Sequence, residues 1–234
     1  MKKEDFYLYL EENGLILSSS QKENLQKYYL LLCKYNEVMN LTGIVEEEEV
    51  YEKHFLDCLL FSFKYPLDNK YGIDVGSGAG FPGLVLAICY PKLKIDLLEP
   101  LNKRCNFLNT VIDELKLDNV KVINDRGETY CIKNEEKYDF AIARAVAKLN
   151  ILLEICAKLI KINGHFIALK GKIALEEIKE ASNAIHALEF NLDSVISDHL
   201  PTSKDARTNI FLQKINKTNS KYPRNYGQIK KHPL

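Results

Sequence analysis

The hydrophobic pattern of this chain changes after Pro66. Between residues 18 and 63, apolar side chains recur at intervals of three and four, which predicts amphipathic helices over 18–39 and 45–63. A turn of cap-forming and flexible residues at 40–43 separates these helices. Beyond Pro66, short β-rich runs alternate with helical segments, as expected of a mostly parallel sheet. The pattern therefore predicts a helical cap followed by a doubly wound α/β domain.

The α/β part of the pattern predicts individual strands and helices. The strands are expected at 71–75, 94–98, 120–123, 139–143, 164–169 and 209–214. The helices are expected at 82–90, 102–115, 147–162 and 173–190. The chain accordingly divides into a cap over 1–66, an α/β core over 67–216 and a basic tail over 217–234.

Composition and charge narrow the class of protein. Lysine plus arginine and aspartate plus glutamate both number 32, so the net charge indicates neither a nucleic-acid nor a membrane partner. The charged residues are unevenly distributed along the chain, because no acidic residue follows Asp205 whereas seven lysines and arginines do. The six cysteines show no C-x-x-C spacing, which favours reduced core cysteines over a metal site or disulfides. No secretory signal or membrane-length apolar run is recognised, so we expect a cytoplasmic protein without a membrane partner.

A glycine-rich turn follows the first predicted strand. Gly76, Gly78 and Gly80 allow the backbone to approach a ligand closely. The dinucleotide fingerprint requires a further glycine where Phe81 stands, so the turn favours S-adenosylmethionine. A nicotinamide dinucleotide, or a flexible loop without a ligand, is the alternative. Asp74 precedes the turn and is expected near the methionine part of the cofactor, or else as a cap of the following helix.

Other polar residues follow the ends of later strands, where ligands bind in this topology. Glu99 closes the second strand and can accept both ribose hydroxyls of a nucleoside, unless it is a solvated strand end. Glu128 follows the third strand and either faces the adenine or is solvated. Arg144 follows the fourth strand and either lies at the mouth of the site or pairs with a carboxylate. His54 is expected to form a structural hydrogen bond, and with Asp57 it can also present a polar pair to the cleft.

Several motifs occur in order from near the N-terminus to the last residue. They are N-L-T at 40–42, H-F-L-D at 54–57, the turn at 74–83 with its F-P-G, N-K-R at 102–104 before F-L at 107–108, R-A-V-A at 144–147, L-K-G at 169–171, Y-P-R at 222–224 and P-L at 233–234. Many methyltransferases share the glycine turn, whereas this combination of motifs is specific to a single family. Together they resemble one family, the RsmG methyltransferases, also known as glucose-inhibited division protein B.

The resemblance implies transfer of a methyl group from S-adenosylmethionine to N7 of a guanine in 16S ribosomal RNA. The expected fold is a class I, Rossmann-like methyltransferase with a doubly wound, mostly parallel seven-stranded sheet and an N-terminal helical cap. Two positions depart from the family pattern, since relatives often carry Asp at Glu99 and Ala at Gly127. Carried over by motif, the cofactor contacts are Gly76, Phe81, Glu99, Pro100, Leu101, Gly127, Glu128 and Arg144, to which the turn itself adds Asp74, Gly78 and Gly80.

The chemistry of N7 decides which substrate residues are expected. N7 of guanine carries an exposed lone pair and needs no deprotonation, so alignment and exclusion of water suffice and no catalytic acid or base is assigned. Tyr222 and Tyr226 are expected to stack on unpaired bases, unless the tail is a disordered extension. The expected RNA contacts are Lys103, Arg104, Arg144, Lys170, Arg207 and Arg224.

The expected partner is 16S ribosomal RNA or the small-subunit particle, and the enzyme is expected to act as a monomer without a metal. Two other functions stay open at this point. The chain can be a methyltransferase of a small molecule or a protein, which would turn over without RNA. It can also be a non-enzymatic module that binds the nucleoside cofactor.

Overall fold

The N-terminal part of the chain forms a layer of helices against the α/β domain. In the computed structural model, which describes residues 1–172 and 174–234, Ser18 and Gln21 form a capping box at the start of the second helix. That helix ends at Met39 and is followed by the C-cap Asn40, whose φ of 51° is left-handed. The helices of the layer are α1 (Lys3–Glu12), α2 (Ser19–Met39), α3 (Glu47–Val50) and α4 (Asp57–Leu59), with a π-helical segment at Tyr51–Leu56 and a 3-10 turn at Leu60–Phe63. The predicted cap is confirmed, although α1 has no counterpart in the sequence prediction.

Within the described residues the sheet has seven strands, in the order β3-β2-β1-β4-β5-β7-β6. The strands are β1 (Tyr71–Val75), β2 (Lys94–Leu98), β3 (Val120–Ile123), β4 (Tyr138–Arg144), β5 (Ile160–Lys170), β6 (Phe190–His199) and β7 (Ala206–Lys214). The first five are mutually parallel, and β7 runs antiparallel to both β5 and β6. This arrangement confirms the predicted doubly wound, mostly parallel fold.

Helices cover both faces of the sheet. They are α5 (Gly83–Cys89), α6 (Asn102–Leu115), α7 (Gly127–Lys133), α8 (Leu149–Cys156), α9 (Ala174–Glu180), α10 (Ser182–Ala187) and α11 (Tyr226–Lys231). Successive side chains of a strand point to opposite faces. Ile142 accordingly packs with the cap, α5 and α6, whereas its neighbours Ala141 and Ala143 pack with α8, α10 and α11. The two cores hold the carboxyl ends of β1 to β4 at one edge of the sheet.

Two predicted helices are wrong in extent. The predicted helix 147–162 ends early, because the chain passes through a 3-10 turn at Ala157–Leu159 and then enters β5 at Ile160. The predicted helix 173–190 is divided into α9 and α10, and Phe190 begins β6; its predicted first residue, Ile173, lies outside the described residues. Among the described residues β6 pairs with β7 alone, and it is mostly exposed, so its residues do not need the apolar alternation that marks a buried strand.

The remaining sequence expectations concern cysteines, metals and the membrane. All six cysteines are free, and all but Cys33 are buried. Among the residues that the structure describes, no cluster of three or more histidine, cysteine or acidic side chains is arranged to hold a metal ion. None of the helices in the described ranges has the length and apolar character needed to span a membrane.

Candidate cofactor and substrate site

The glycine turn joins β1 to α5 through three residues with positive φ. Gly76, Gly78 and Gly80 have φ values of 78°, 59° and 101°, in the region that side chains with a Cβ rarely occupy. A Cβ on Gly76 would lie 2.7 Å from a methyl group of Val146, and one on Gly80 would lie 2.8 Å from the hydroxyl of Tyr28. The turn is therefore confined on both sides, by the loop after β4 and by α2.

Glu99, at the end of β2, is buried against this turn. Its Oε2 accepts a hydrogen bond from the backbone N–H of Gly78 at 2.9 Å, and its Oε1 accepts one from that of Leu101 at 2.9 Å. A guanidinium nitrogen of Arg104 lies 3.9 Å from Oε2. The residue is only 1% exposed, which contradicts the alternative of a solvated strand end. Glu99 instead connects the glycine turn to the start of α6.

A cavity of about 470 Å³ opens beside Glu99, between the ends of β1 to β4. This volume suits a nucleoside-sized ligand. Six of the predicted cofactor contacts line the cavity, namely Gly76, Glu99, Pro100, Leu101, Gly127 and Glu128. The other five predicted contacts, Asp74, Gly78, Gly80, Phe81 and Arg144, lie outside its lining. A buried carboxylate with backbone groups around it, between apolar walls, fits the ribose and base of S-adenosylmethionine.

Asp74 lies beneath the turn and is fully buried. Its Oδ2 accepts a hydrogen bond from the N–H of Gly83 at 3.0 Å, so it satisfies the first turn of α5 as its alternative role predicted. Its Oδ1 accepts no hydrogen bond from any described residue. Burial raises the pKa of this carboxyl to about 7, against an ordinary value of 3.8.

We expect Asp74→Asn to be more stable than the parent protein above pH 7. The unfolded carboxyl ionises near pH 3.8 and the folded one near pH 7, so the folded state binds more protons across that interval and loses stability as the pH rises. Asparagine keeps the acceptor for Gly83 without the charge. The gain should be about 4 kcal/mol at most, at about 1.36 kcal/mol per pKa unit, and should vanish below pH 4. Urea unfolding between pH 4 and 8 measures it, and parallel pH profiles would contradict the assignment.

Phe81, which replaces the third glycine of a dinucleotide site, supports a polar cluster instead of lining the cavity. The ring of His54 stacks on it with centroids 4.4 Å apart, and the guanidinium of Arg144 lies 5.0 Å from its centroid. Burial, and then the charge of Arg144, lower the pKa of His54 to about 3, so the ring is neutral. Nδ1 of His54 lies 3.1 Å from Nη2 of Arg144 and 3.2 Å from the carbonyl oxygen of Lys53, and Nε2 forms a hydrogen bond with Thr42 Oγ1 at 2.8 Å.

Asp57 completes this cluster by pairing with two arginines. Its Oδ2 accepts from Nη1 of Arg144 at 3.0 Å, and its Oδ1 accepts from Nε of Arg207 at 2.8 Å. His54 and Asp57, the predicted polar pair, thus face a second cavity of about 530 Å³ together with both arginines. This cavity shares the segment 145–147 with the first one, so the two cavities are neighbours.

The four other predicted RNA contacts lie outside the cluster formed by Asp57, Arg144 and Arg207. Lys103 is exposed in the first turn of α6, and Arg104 points back towards Glu99. Lys170 lines the second cavity but donates to the carbonyl of Ala147 at 2.8 Å and pairs with Glu177 at 2.7 Å. Arg224 lies in the tail and pairs with a buried carboxylate of α8. Lys103 is therefore the most accessible of these four cations.

Gly127, the first residue of α7, is in close contact with α8. A Cβ at this position would lie 2.3 Å from Cγ2 of Ile155, which also lines the first cavity. We expect Gly127→Ala to destabilise the protein by about 1–3 kcal/mol, because Ile155 must move. Gly43→Ala is the matched control, since a Cβ there meets no atom within 4 Å. In an Ile155→Ala background the cost of Gly127→Ala should shrink, and a double-mutant cycle by urea unfolding with no coupling would refute the packing conflict.

The sheet order, the glycine turn and the carboxylate after β2 together define a class I S-adenosylmethionine-dependent methyltransferase. A family model for GidB, described as rRNA small subunit methyltransferase G, matches residues 21–219. The chain is 43% identical over 237 residues to Ribosomal RNA small subunit methyltransferase G of Bacillus thuringiensis (strain Al Hakam), covering 100% of this chain and 99% of the relative. The chain therefore belongs to the RsmG/GidB family of S-adenosylmethionine-dependent rRNA methyltransferases, as its motifs predicted.

Solved structures at lower sequence identity share the fold. TYW2 of M. jannaschii, solved in complex with AdoMet, aligns with a TM-score of 0.57 at 15% identity, covering 74% of this chain and 80% of its own. A SAM dependent methyltransferase from Aquifex aeolicus aligns with a TM-score of 0.54 at 15% identity. The alignment covers 73% of this chain and 95% of that protein's chain. These similarities support the class I fold and nothing finer.

Proposed function

We propose that this methyltransferase transfers a methyl group from S-adenosylmethionine to N7 of a guanine in 16S ribosomal RNA. The observation that carries the proposal is the pair of adjoining cavities, separated by the segment 145–147. One is nucleoside-sized and contains the carboxylate of Glu99, and the other contains the arginines paired through Asp57. The first cavity would hold the cofactor and the second would admit the target guanine.

Several residues of the first cavity have groups suited to this cofactor. Glu99 has acceptor capacity beyond its two backbone hydrogen bonds, so its carboxylate can also accept from the ribose hydroxyls. Gly76 exposes backbone next to it, and Gly127 and Glu128 offer backbone groups to the adenine. When bound, S-adenosylmethionine supplies an electrophilic methyl group on a sulfonium. The chain itself contributes binding, orientation and exclusion of water.

The second cavity has the polarity expected for a guanine. Two arginines, one aspartate and a neutral histidine leave a net positive charge there. The Hoogsteen edge of guanine presents O6 and N7 as acceptors. An arginine that donates to O6 would hold the base and leave the N7 lone pair free, so no general base is needed. Lys103, Arg104 and Lys170 would then contact phosphates.

The partner is proposed to be 16S RNA, alone or within the small-subunit particle, and the site of action is the cytoplasm. We propose that the enzyme acts as a monomer. No step of the proposed reaction requires a metal.

The proposal is tested by mass spectrometry of ribosomal RNA from a strain in which the gene is deleted. We expect loss of N7-methylguanine from 16S RNA, restored by the parent gene but not by Gly76→Val, which obstructs the turn. An unchanged N7-methylguanine content would refute the proposal. Turnover of a small molecule or protein without RNA would favour a different substrate, and binding without any methyl transfer would favour a non-enzymatic module.

A further inference from the structure

The C-terminal tail is folded onto α8 and is not an extended basic arm. Tyr222 and Ile229 are buried in the core on that face of the sheet. Between them, the guanidinium of Arg224 binds both carboxylate oxygens of Glu154, at 2.8 Å through Nε and at 2.6 Å through Nη2. The backbone N–H of Arg224 donates to the same carboxylate at 2.9 Å. Because the Glu154 side chain is completely buried, this contact fixes the tail in one position.

Fixing Arg224 places Tyr226 at the first cavity. Tyr226 begins α11, behind Asn225, whose side chain caps that helix by accepting from the N–H of Gln228 at 3.0 Å. The tyrosine lines the cavity together with Leu152 and Ile155 of α8. It keeps 37% of its surface exposed, so part of the residue is accessible to a ligand in the cavity.

The position of Tyr226 corresponds to the base end of the cavity. The carboxylate proposed for the ribose lies at the end of β2, whereas α8 packs against α7, which follows β3 and begins at Gly127. Tyr226 of α11 lines the cavity with two apolar residues of α8, Leu152 and Ile155. A purine ring between apolar side chains and an aromatic face gains stacking and dispersion energy irrespective of its hydrogen-bonding edge.

We propose that Tyr226 is a cofactor-binding residue, delivered by the C-terminal tail to stack on the adenine of S-adenosylmethionine. The inference rests on the proposed function for the identity of that ligand. It assigns Tyr226 to the cofactor and not to an unpaired RNA base. Arg224 then acts as a positioning residue, which holds Tyr226 through Glu154 and does not contact RNA.

Calorimetry with S-adenosylhomocysteine and with 5′-methylthioadenosine tests this assignment. Tyr226→Ala should weaken binding of both ligands by about tenfold, within the range that base stacking on an aromatic side chain supplies. Tyr226→Phe retains the ring and should bind within about twofold of the parent protein, as should Lys230→Ala, an exposed residue of the same helix. Arg224→Ala should weaken binding similarly, with little added effect in combination with Tyr226→Ala, and thermal unfolding should show that Tyr226→Ala remains folded.

The possible results separate the two proposals. If the parent protein binds both ligands and Tyr226→Ala binds them equally well, the role of Tyr226 is refuted while the cofactor site stands. If Tyr226→Ala weakens the binding of S-adenosylhomocysteine but not that of 5′-methylthioadenosine, the tyrosine contacts the amino-acid part of the ligand. Stacking on adenine is then refuted as well. If the parent protein binds neither ligand, the proposed cofactor site fails together with the role of Tyr226.

Discussion

Glu99→Ala is expected to weaken binding of S-adenosylmethionine by about 100-fold or more. The carboxylate is buried, and in the proposed complex it would accept from two ribose hydroxyls, each bond to a charged group contributing about 1.5–3 kcal/mol. The same substitution also removes the acceptor of the Gly78 and Leu101 N–H groups. The glycine turn and the start of α6 would then lose the group that connects them.

Calorimetric titration of Glu99→Ala, Glu99→Gln and Glu99→Asp separates these contributions. Glutamine keeps one acceptor and the side-chain length, so its affinity should fall between those of alanine and the parent protein. Aspartate keeps the negative charge with a shorter side chain, so Glu99→Asp should lose the least affinity of the three. Equal affinity of Glu99→Ala and the parent protein would show that this carboxylate does not bind the ribose.

Asp57→Ala is expected to destabilise the protein by about 3–5 kcal/mol, because it leaves two largely buried arginines without their shared carboxylate. Arg144 and Arg207 would then repel each other beside His54, whose neutral ring offers no negative charge to offset them. RNA methylation should be lost as well, since the second cavity depends on the orientation of both arginines. Urea unfolding measures the first effect and methyl transfer to RNA the second.

Asp205→Ala is the matched control for Asp57→Ala. Asp205 pairs with the same Arg207 at 4.0 Å, but its side chain is 49% exposed. Its removal should cost less than about 1 kcal/mol, as is usual for a surface ion pair. Equal losses from the two substitutions would indicate that the Asp57 cluster contributes no more than a surface contact.

The accuracy of the sequence prediction depends on where each element lies in the fold. β1, β2, β3 and α6 occur at their predicted bounds, because each carries a short, clear apolar pattern, including β3, which is itself an edge strand. β6, at the opposite edge, was not among the predicted strands, since its residues are mostly exposed and need no such pattern. The short helices α7 and α11 were also absent from the prediction. Short helices are stabilised mainly by tertiary packing, here against α8, and so leave a weak signal in the local sequence.

In the candidate site, too, some residues could be predicted from the sequence and others could not. Glu99 and Glu128 were expected near the cavity because the ends of parallel strands meet at one edge of the sheet, and both line it. The contact between Asp57 and Arg207 joins residues 150 positions apart, and no local motif indicates it. Tyr226 likewise reaches the cavity only because the tail folds back on α8. The charge of the tail gave no sign of the contact between Arg224 and Glu154, which holds the tail within the fold.

The central claim is that this chain methylates N7 of guanine in small-subunit RNA. It is tested most directly by incubating the purified protein with methyl-labelled S-adenosylmethionine and 16S RNA or small subunits from the deletion strain. After nuclease digestion, the account predicts label in N7-methylguanosine, and none with Gly76→Val. Label in another nucleoside or in protein, or no transfer to either form of the RNA, would contradict it.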